Sequence, residues 1–406
     1  MRIFGRDPEP THPFSVRIVG GAADFSNAEW SKLAGAARRG SSYNPFISHD
    51  FLTALEESGC VGGRSGWLPK FLRIENAGGD LLAAVPAYLK SHSQGEYVFD
   101  HGWADAFARA GGDYYPKLQA TVPFTPASGP RLLVAEGQDT ETIQHFTADA
   151  LKAGAEALKI SSAHVTFAPE AEAHILEQHG YLLRNDQQFH FQNLNYTGYG
   201  DFLESLASRK RKALKKERRE ALVNDIKIIW LTGKDLTERV WDNFFAFYMD
   251  TGGRKWGAPY LNRKFFSLIG ERMADDVLLV MAERQGRYIA GAINFIGSDR
   301  LFGRNWGCIE DHPFLHFEVC YHQAIDFAIE RKLSVVEAGA QGEHKLARGY
   351  LPVTTWSAHY IAHPGLRRAV ADYLVHERRQ VVAVGEEMSE HGPFRKGALL
   401  GEGGGH

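Results

Sequence analysis

VLLVMAERQGRYIAGAINFI, Val277 to Ile296, reads as two apolar runs meeting at Gln285 and Gly286. That is the pattern of a strand, a tight turn and a second strand, and so of a β-hairpin. FLRIENAGGDLLAAVPAYL, Phe71 to Leu89, repeats it in the first half of the chain, with Gly78, Gly79 and Asp80 at the turn. Downstream of each hairpin lies a stretch with apolar residues at helical spacing, TIQHFTADALKAGAEAL from Thr142 and FEVCYHQAIDFAIE from Phe317. A strand follows each, AHVTFA from Ala163 and LSVVEAG from Leu333. Hairpin, helix and strand thus occur twice in the same order. The expected fold is a tandem repeat of one α/β (α+β) unit, each copy a mixed sheet flanked by helices.

The strand FHFQNLN and the loop YTGYG, Phe189 to Gly200, mark a boundary near Asn195. The reading is a first domain over 1–195 and a second over 196–395. From Lys396 onward, KGALLGEGGGH is too rich in glycine to build a core, and 396–406 is expected to be a disordered tail.

A chain of 406 residues is long enough for two domains with cores of ordinary size. Its formal charge of −3 lacks the overall basic excess of a dedicated DNA binder, so no DNA partner is expected. Cys60, Cys308 and Cys320 have no paired spacing, which excludes a disulfide framework or a zinc ribbon and fits a reducing cytoplasm. MRIFGRDPEPTHPF has no apolar core of a signal peptide, and no run approaches the ~18 apolar residues of a membrane span. The expectation is a cytoplasmic protein, compatible with peripheral contact at the inner face of the cytoplasmic membrane.

Against this near-neutral background SRKRKALKKERRE, Ser208 to Glu220, places eight basic side chains in thirteen positions. Asp201, with Glu204 three residues on, reads as the cap of a helix in which Phe202, Leu203, Leu206, Ala213, Leu214, Ala221 and Leu222 form the buried stripe. Two readings stand. One is a solvated face in which Glu217 and Glu220 pair with neighbouring bases. The other is a phosphate-binding surface, with Lys210, Arg211 and Lys215 as donor-binding candidates, for a coenzyme A diphosphate, a tRNA acceptor end or anionic headgroups.

The segment EAGAQGEHKLARGYLP, Glu337 to Pro352, follows a strand and breaks every apolar pattern. Gly342 allows close backbone approach to a ligand, Glu343, His344 and Lys345 supply a base, a relay and a cation, and Arg348 adds a second anion contact. HPFLHFEVCYHQ brings His312, His316, Glu318, Cys320 and His322 into the start of the next helix. His312, His316 and Cys320 recur every four residues, but Pro313 keeps the helix from starting early enough to align them on a metal, and no metal is expected. In the first half, HSQGEYVFDHGWADAFARAGGDYYPKLQATVPFTPASGPRL offers Tyr114, Tyr115 and Lys117 as pocket residues, with Pro123, Phe124 and Pro126 stiffening a wall. TGGRKWGAPYLNRKFF supplies Arg254, Lys255, Trp256 and Tyr260, and GRNWGC supplies Arg304 and Trp306. No G-x-S-x-G elbow and no G-x-x-x-x-G-K-[ST] loop occurs, which argues against a serine hydrolase and a P-loop nucleotide hydrolase.

NPFISHDFLTALEESG, HSQGEYVFDHGWADAF, YYPKLQATVPFTPASGPRLL, SRKRKALKKERRE, WGAPYLNRKFF, GRNWGC, LHFEVCYHQAI and GAQGEHKLARGYLP occur in this order from Asn44. Together, as far as the helix near Glu377, they resemble the FemAB-like N-acyltransferases of bacteria. The resemblance implies two GNAT-like acyltransferase units in tandem and the formation of an amide from an activated acyl group and an amine. It implies no permanently bound cofactor; the donor candidates are acyl-CoA, acyl carrier protein and aminoacyl-tRNA. The acceptor candidates are a long-chain or sphingoid amine, as in bacterial ceramide formation, or, in the Fem-type alternative, a peptidoglycan precursor.

Where GNAT enzymes carry a glycine-rich diphosphate loop, this chain has IEDHPFLHFE after the strand LFGRNWG, without those glycines. No heptads of a tRNA-binding coiled-coil arm occur in the second half. An alkyl amine with a pKa near ~10 must lose a proton before attack, which makes Glu343, His344, Glu318 and His316 candidate catalytic groups. The amides around Gly342 and the side chains of Lys345 and Arg348 are candidate oxyanion donors. A different class of reading is a non-catalytic RNA- or membrane-binding protein acting through Ser208 to Glu220.

Overall fold

The computed structural model describes residues 14–38, 40–255, 259–339, 342–390 and 392–395, with the side chains of 252–255 and of Glu343 outside that description. The chain divides into two compact units, Met1–Asp186 with Thr354–Val382, and Gln187–Val353 with Ala383–His406. The strands in chain order are β1 (Phe14–Val19), β2 (Trp67–Pro69), β3 (Phe71–Asn76), β4 (Leu81–Val85), β5 (Ala87–Lys90), β6 (Lys117–Ala120), β7 (Leu133–Val134) and β8 (Ser162–Ala168). They continue with β9 (Leu182–Gln192), β10 (Lys227–Leu231), β11 (Val277–Arg284), β12 (Arg287–Ile296), β13 (Arg300–Cys308), β14 (Val335–Glu337) and β15 (Leu351–Ile361).

In the first unit the hairpin expected at Phe71 to Leu89 forms between β3 and β4, with Leu72 opposite Val85 and Ile74 opposite Ala83. Asn76 Oδ1 accepts from the amides of Gly78 and Asp80 and so closes the turn. The second apolar run does not stay in one strand. Pro86 has no N–H to give to a ladder, and the chain passes from β4, in a four-stranded sheet with β1, β3 and β7, to β5 in a second ladder. In that ladder β5 pairs antiparallel with β2 and β6, and β6 pairs parallel with β8. The parallel pair needs a long crossover, which includes the helix Thr140–Ala157, capped by Asp139 on the Thr142 amide. Leu118, Leu151, Val165 and Leu176 lie in the core between them.

The second unit repeats this plan. β10, β11, β12 and β13 form an antiparallel meander. The β11–β12 turn is at Gln285 and Gly286, both with positive φ of 52° and 73°, the geometry that fits the twist of a two-residue hairpin. β13 then pairs parallel with β14 after a helical crossover, and β14 pairs antiparallel with β9. In the first unit the matching neighbour of β8 is β15. Each unit therefore completes its parallel pair with a strand from the other half of the sequence, and the chain divides after Asp186 where the apolar pattern had pointed to Asn195.

Candidate functional site

The parallel pair of the second unit is a fork. β13 runs to Cys308 against β12, but it meets β14 only at Arg300, Leu301 and Phe302. Beyond Glu337 the chain stays with β9, through Ala338 N to Phe189 O and Phe189 N to Gly339 O. The segment Gly342 to Gly349 and the helix after β13 both start from this opening.

That helix begins at Phe314, in the left-handed region at φ 63°, makes one short α turn, and widens to a π-turn at Glu318–His322 before the regular helix Gln323–Glu330. π-turns inside α-helices recur at functional sites. Glu318 is fully buried; its oxygens accept from Arg218 at 2.8 and 3.1 Å and from Gln323 at 2.7 Å. Its place in the structure is therefore that of an anchor behind the site, whereas the spacing alone had put it toward a substrate amine.

Arg218 belongs to the basic helix, which the structure splits from its expected start. Tyr199–Ser205 and Ser208–Ala221 are separate helices with Leu206 extended between them. Asp201 lies inside the first, where its carboxylate accepts from the Thr197 amide, and Gly198 takes the cap position. The break arises because Leu206 is buried and bridges to Phe394, while the Ala207 amide bonds Pro393 O. On the inner face of Ser208–Ala221, Leu214 and Ala221 are buried and Glu217 lies between them. Glu217 accepts a two-pronged pair from Arg348 at 2.8 and 2.6 Å and a third bond from His322 Nε2 at 2.7 Å. Burial opposes its charge, but these partners hold its carboxyl below the ordinary value. Burial also pushes His322 down, so it stays neutral, and its Nδ1 meets the Tyr199 hydroxyl at 2.5 Å.

At the mouth of the fork stand His344 and Lys345. His344 is exposed, and its Nε2 lies 3.0 Å from the Tyr321 hydroxyl. Around it are the rings of Phe317 at 5.6 Å and His316 at 6.3 Å, with Trp306 5.2 Å from His316. Arg348 caps Phe317 at 3.5 Å and donates to His344 O. Gly342 sits at φ 114°, and a Cβ there would fall 2.2 Å from His344 Cε1, so the position requires glycine. Lys345 is buried and donates to Ala338 O at 2.5 Å and Gly339 O at 3.0 Å. Burial, with the Arg304 charge acting in the same sense, lowers its pKa to about 8. Arg304 donates to Gly303 O and lies 3.9 Å from Glu337, whose other oxygen takes Arg300 at 2.9 Å.

The structure thus gathers His316, His344, Lys345, Arg348, Gly342, Arg304 and Trp306 about one opening. Lys210 and Lys215 are exposed and Arg211 half-buried on the basic helix, which is tied to the opening through Glu217 and Arg218. In the first unit Lys117 is fully buried and donates to Ser93, Glu96 and Asp100 at 2.8, 2.7 and 2.6 Å, while Tyr115 meets Ser93 at 2.8 Å. That network is internally satisfied. Tyr260 is exposed, and His312 pairs with Glu310. Trp256, the side chains of Arg254, Lys255 and Glu343, and the tail from Lys396 lie outside the described residues. Among the described residues no group of three or more His, Cys, Asp or Glu is placed to hold a metal. His322 belonged to the cluster expected at this helix; the residues the pattern missed are Glu217, Tyr199 and Tyr321, and the 214, 217, 221 spacing was the available sign that Glu217 faces inward.

No curated protein matches the sequence. Among solved structures the chain is similar to FemX, with a TM-score of 0.50 at 11% identity over 79% of this chain and 94% of that one. It is similar to a conserved protein of unknown function from Bacteroides thetaiotaomicron, with a TM-score of 0.50 at 11% identity over 85% and 99%. A tandem GNAT protein from the clavulanic acid biosynthesis pathway aligns with a TM-score of 0.44 at 11% identity over 86% and 99%. At such identities the first two likenesses speak for the fold alone. The sequence pattern of the FemAB-like family, described as peptidoglycan biosynthesis/recognition, matches residues 22–396. With that match spanning nearly the whole chain, the protein belongs to the FemAB-like family.

Proposed function

We propose that the protein is an N-acyltransferase that joins an activated acyl or aminoacyl group to an amine, with the reaction centred on the fork between β13 and β14. The observation that carries this reading is the convergence of an exposed imidazole, His344, with two buried cations, Lys345 and Arg304, where the parallel strands part. Family membership supports it.

His344, whose Nε2 lies 3.0 Å from the Tyr321 hydroxyl, takes the proton that the neutral amine gives up as it attacks. The amine nitrogen bonds the acyl carbon, and charge develops on the carbonyl oxygen. Lys345 spends two donors on Ala338 and Gly339, and its third N–H, with Arg304 nearby, is the oxyanion contact. The bond to the leaving thiol or hydroxyl then breaks, and the proton held by His344 passes to it. Gly342, Arg348 and Glu217 fix the segment that carries both side chains.

The helix after β13 opens at Phe314 with a single α turn and no glycines, which disfavours a standard diphosphate cradle and supports a donor recognised through its acyl group. We take an acyl-CoA or acyl carrier protein thioester as donor and a long-chain amine of the sphingoid type as acceptor. The family description favours a second reading, transfer from aminoacyl-tRNA to a peptidoglycan precursor. Calorimetric titration with a medium-chain acyl-CoA beside free coenzyme A separates them. Binding that requires the acyl chain supports the thioester donor. Absence of acyl-CoA and acyl carrier protein binding, with aminoacyl-tRNA bound instead, replaces it by the second reading.

A further inference from the structure

We infer that the outer face of the helix Ser208–Ala221 docks the protein on an anionic phospholipid surface. The inference stands independently of the transferase reading. Arg209, Lys212, Lys216 and Arg219 recur at intervals of three, four and three, with Lys215 beside them, and all five are exposed. This spacing puts them on one side of the helix, opposite Leu214 and Ala221. Among the described residues Arg209, Lys212, Lys215 and Arg219 make no ion pair, and only Lys216 has a partner, Glu220 at 3.6 Å. Of the two carboxylates on the helix, Glu220 reaches only Lys216, and Glu217 is turned inward. Glu217 is taken by Arg348 and His322, and Arg218 is taken by Glu318 and Asp326. In a chain with a net charge of −3 the result is a concentrated positive face on a rigid element.

Two features favour a bilayer over a nucleic acid. The helix ends in two exposed apolar residues, Leu222 at 38% and Val223 at 46%, placed to enter the headgroup boundary beside the basic stripe. The helix itself carries no aromatic residue, so it offers no platform for base stacking. No helix among the described residues is long and apolar enough to cross a membrane, and the contact is a peripheral one.

The test is co-sedimentation of the full chain with vesicles of phosphatidylcholine alone and of phosphatidylcholine with about a third phosphatidylglycerol. An RNA duplex of matched phosphate concentration serves as competitor. The expected result is binding to the anionic vesicles only, weakened about fivefold for each basic residue removed in K212Q, K216Q and R219Q and weakened again by L222S with V223S. Thermal unfolding of the same variants should be unchanged, since the substituted side chains are exposed. Equal binding to neutral vesicles, no loss in the triple variant, or displacement by RNA in preference to lipid would overturn the proposal.

Discussion

At the scale of single residues, Lys345 and Arg218 show how burial assigns roles. Lys345 has a pKa of about 8, below the 10.5 of a free lysine, because its ammonium is removed from water beside Arg304. It is charged below that value and neutral above it, so a rate that needs the cation should fall on the alkaline side with a midpoint near 8. A kcat/KM profile of wild type and Lys345→Met checks this; the variant should be slower and lack that limb. Arg218→Met leaves the fully buried Glu318 without its cation, and urea unfolding should report a loss of about 3–5 kcal/mol. Replacing Glu318 by Gln in the same chain should restore part of it. His344 and Lys345 were legible as candidates because polar residues interrupt an apolar pattern there. The burial of Glu318 was not, because its partner is one hundred residues away in sequence, on a helix whose inner face only packing defines.

At the scale of elements, periodicity located the two hairpins and their crossover helices, and turn chemistry at Gln285 and Gly286 located one turn correctly. It could not show that Leu206 interrupts the basic helix, because an apolar residue at helical spacing looks the same whether it continues a stripe or bridges to Phe394. Nor could it show the π-turn, which inserts no residue type of its own. β13 illustrates a constraint of packing on an element. At Gly307 a Cβ would fall 2.0 Å from the carbonyl oxygen of Phe247, on the helix Glu238–Lys255. Gly307→Ala must push that helix off the sheet and should cost about 1–3 kcal/mol, read as a lowered Tm, with the far-UV spectrum retained.

At the scale of the whole molecule, the repeat was visible in the order of elements, while the exchange of β9 and β15 was not, since apolar alternation says which face a strand buries and not which strand it joins. β15 brings His359 into the first unit, its Nδ1 2.8 Å from that of His164. Ser357 and Ser162 satisfy the far nitrogens. Burial lowers His164 to about 3 and His359 well below the ordinary value. Between the unfolded value near 6.5 and these lower ones the unfolded chain binds more protons, so stability is lost as pH falls through that window. The slope is on the order of 1 kcal/mol per pH unit for each excluded proton. Denaturant midpoints between pH 7 and 5 should fall, and less steeply in a His164→Gln, His359→Gln variant.

The most direct test of the central claim is mass-spectrometric detection of an amide formed by the purified full chain from activated donors. The panel holds acyl-CoA, acyl carrier protein thioester and aminoacyl-tRNA, each offered a sphingoid amine and a peptidoglycan precursor. The account predicts an amide from at least one donor class, strongly reduced in the His344→Ala, Lys345→Met variant. No amide from any donor, or undiminished amide in that variant, would contradict it.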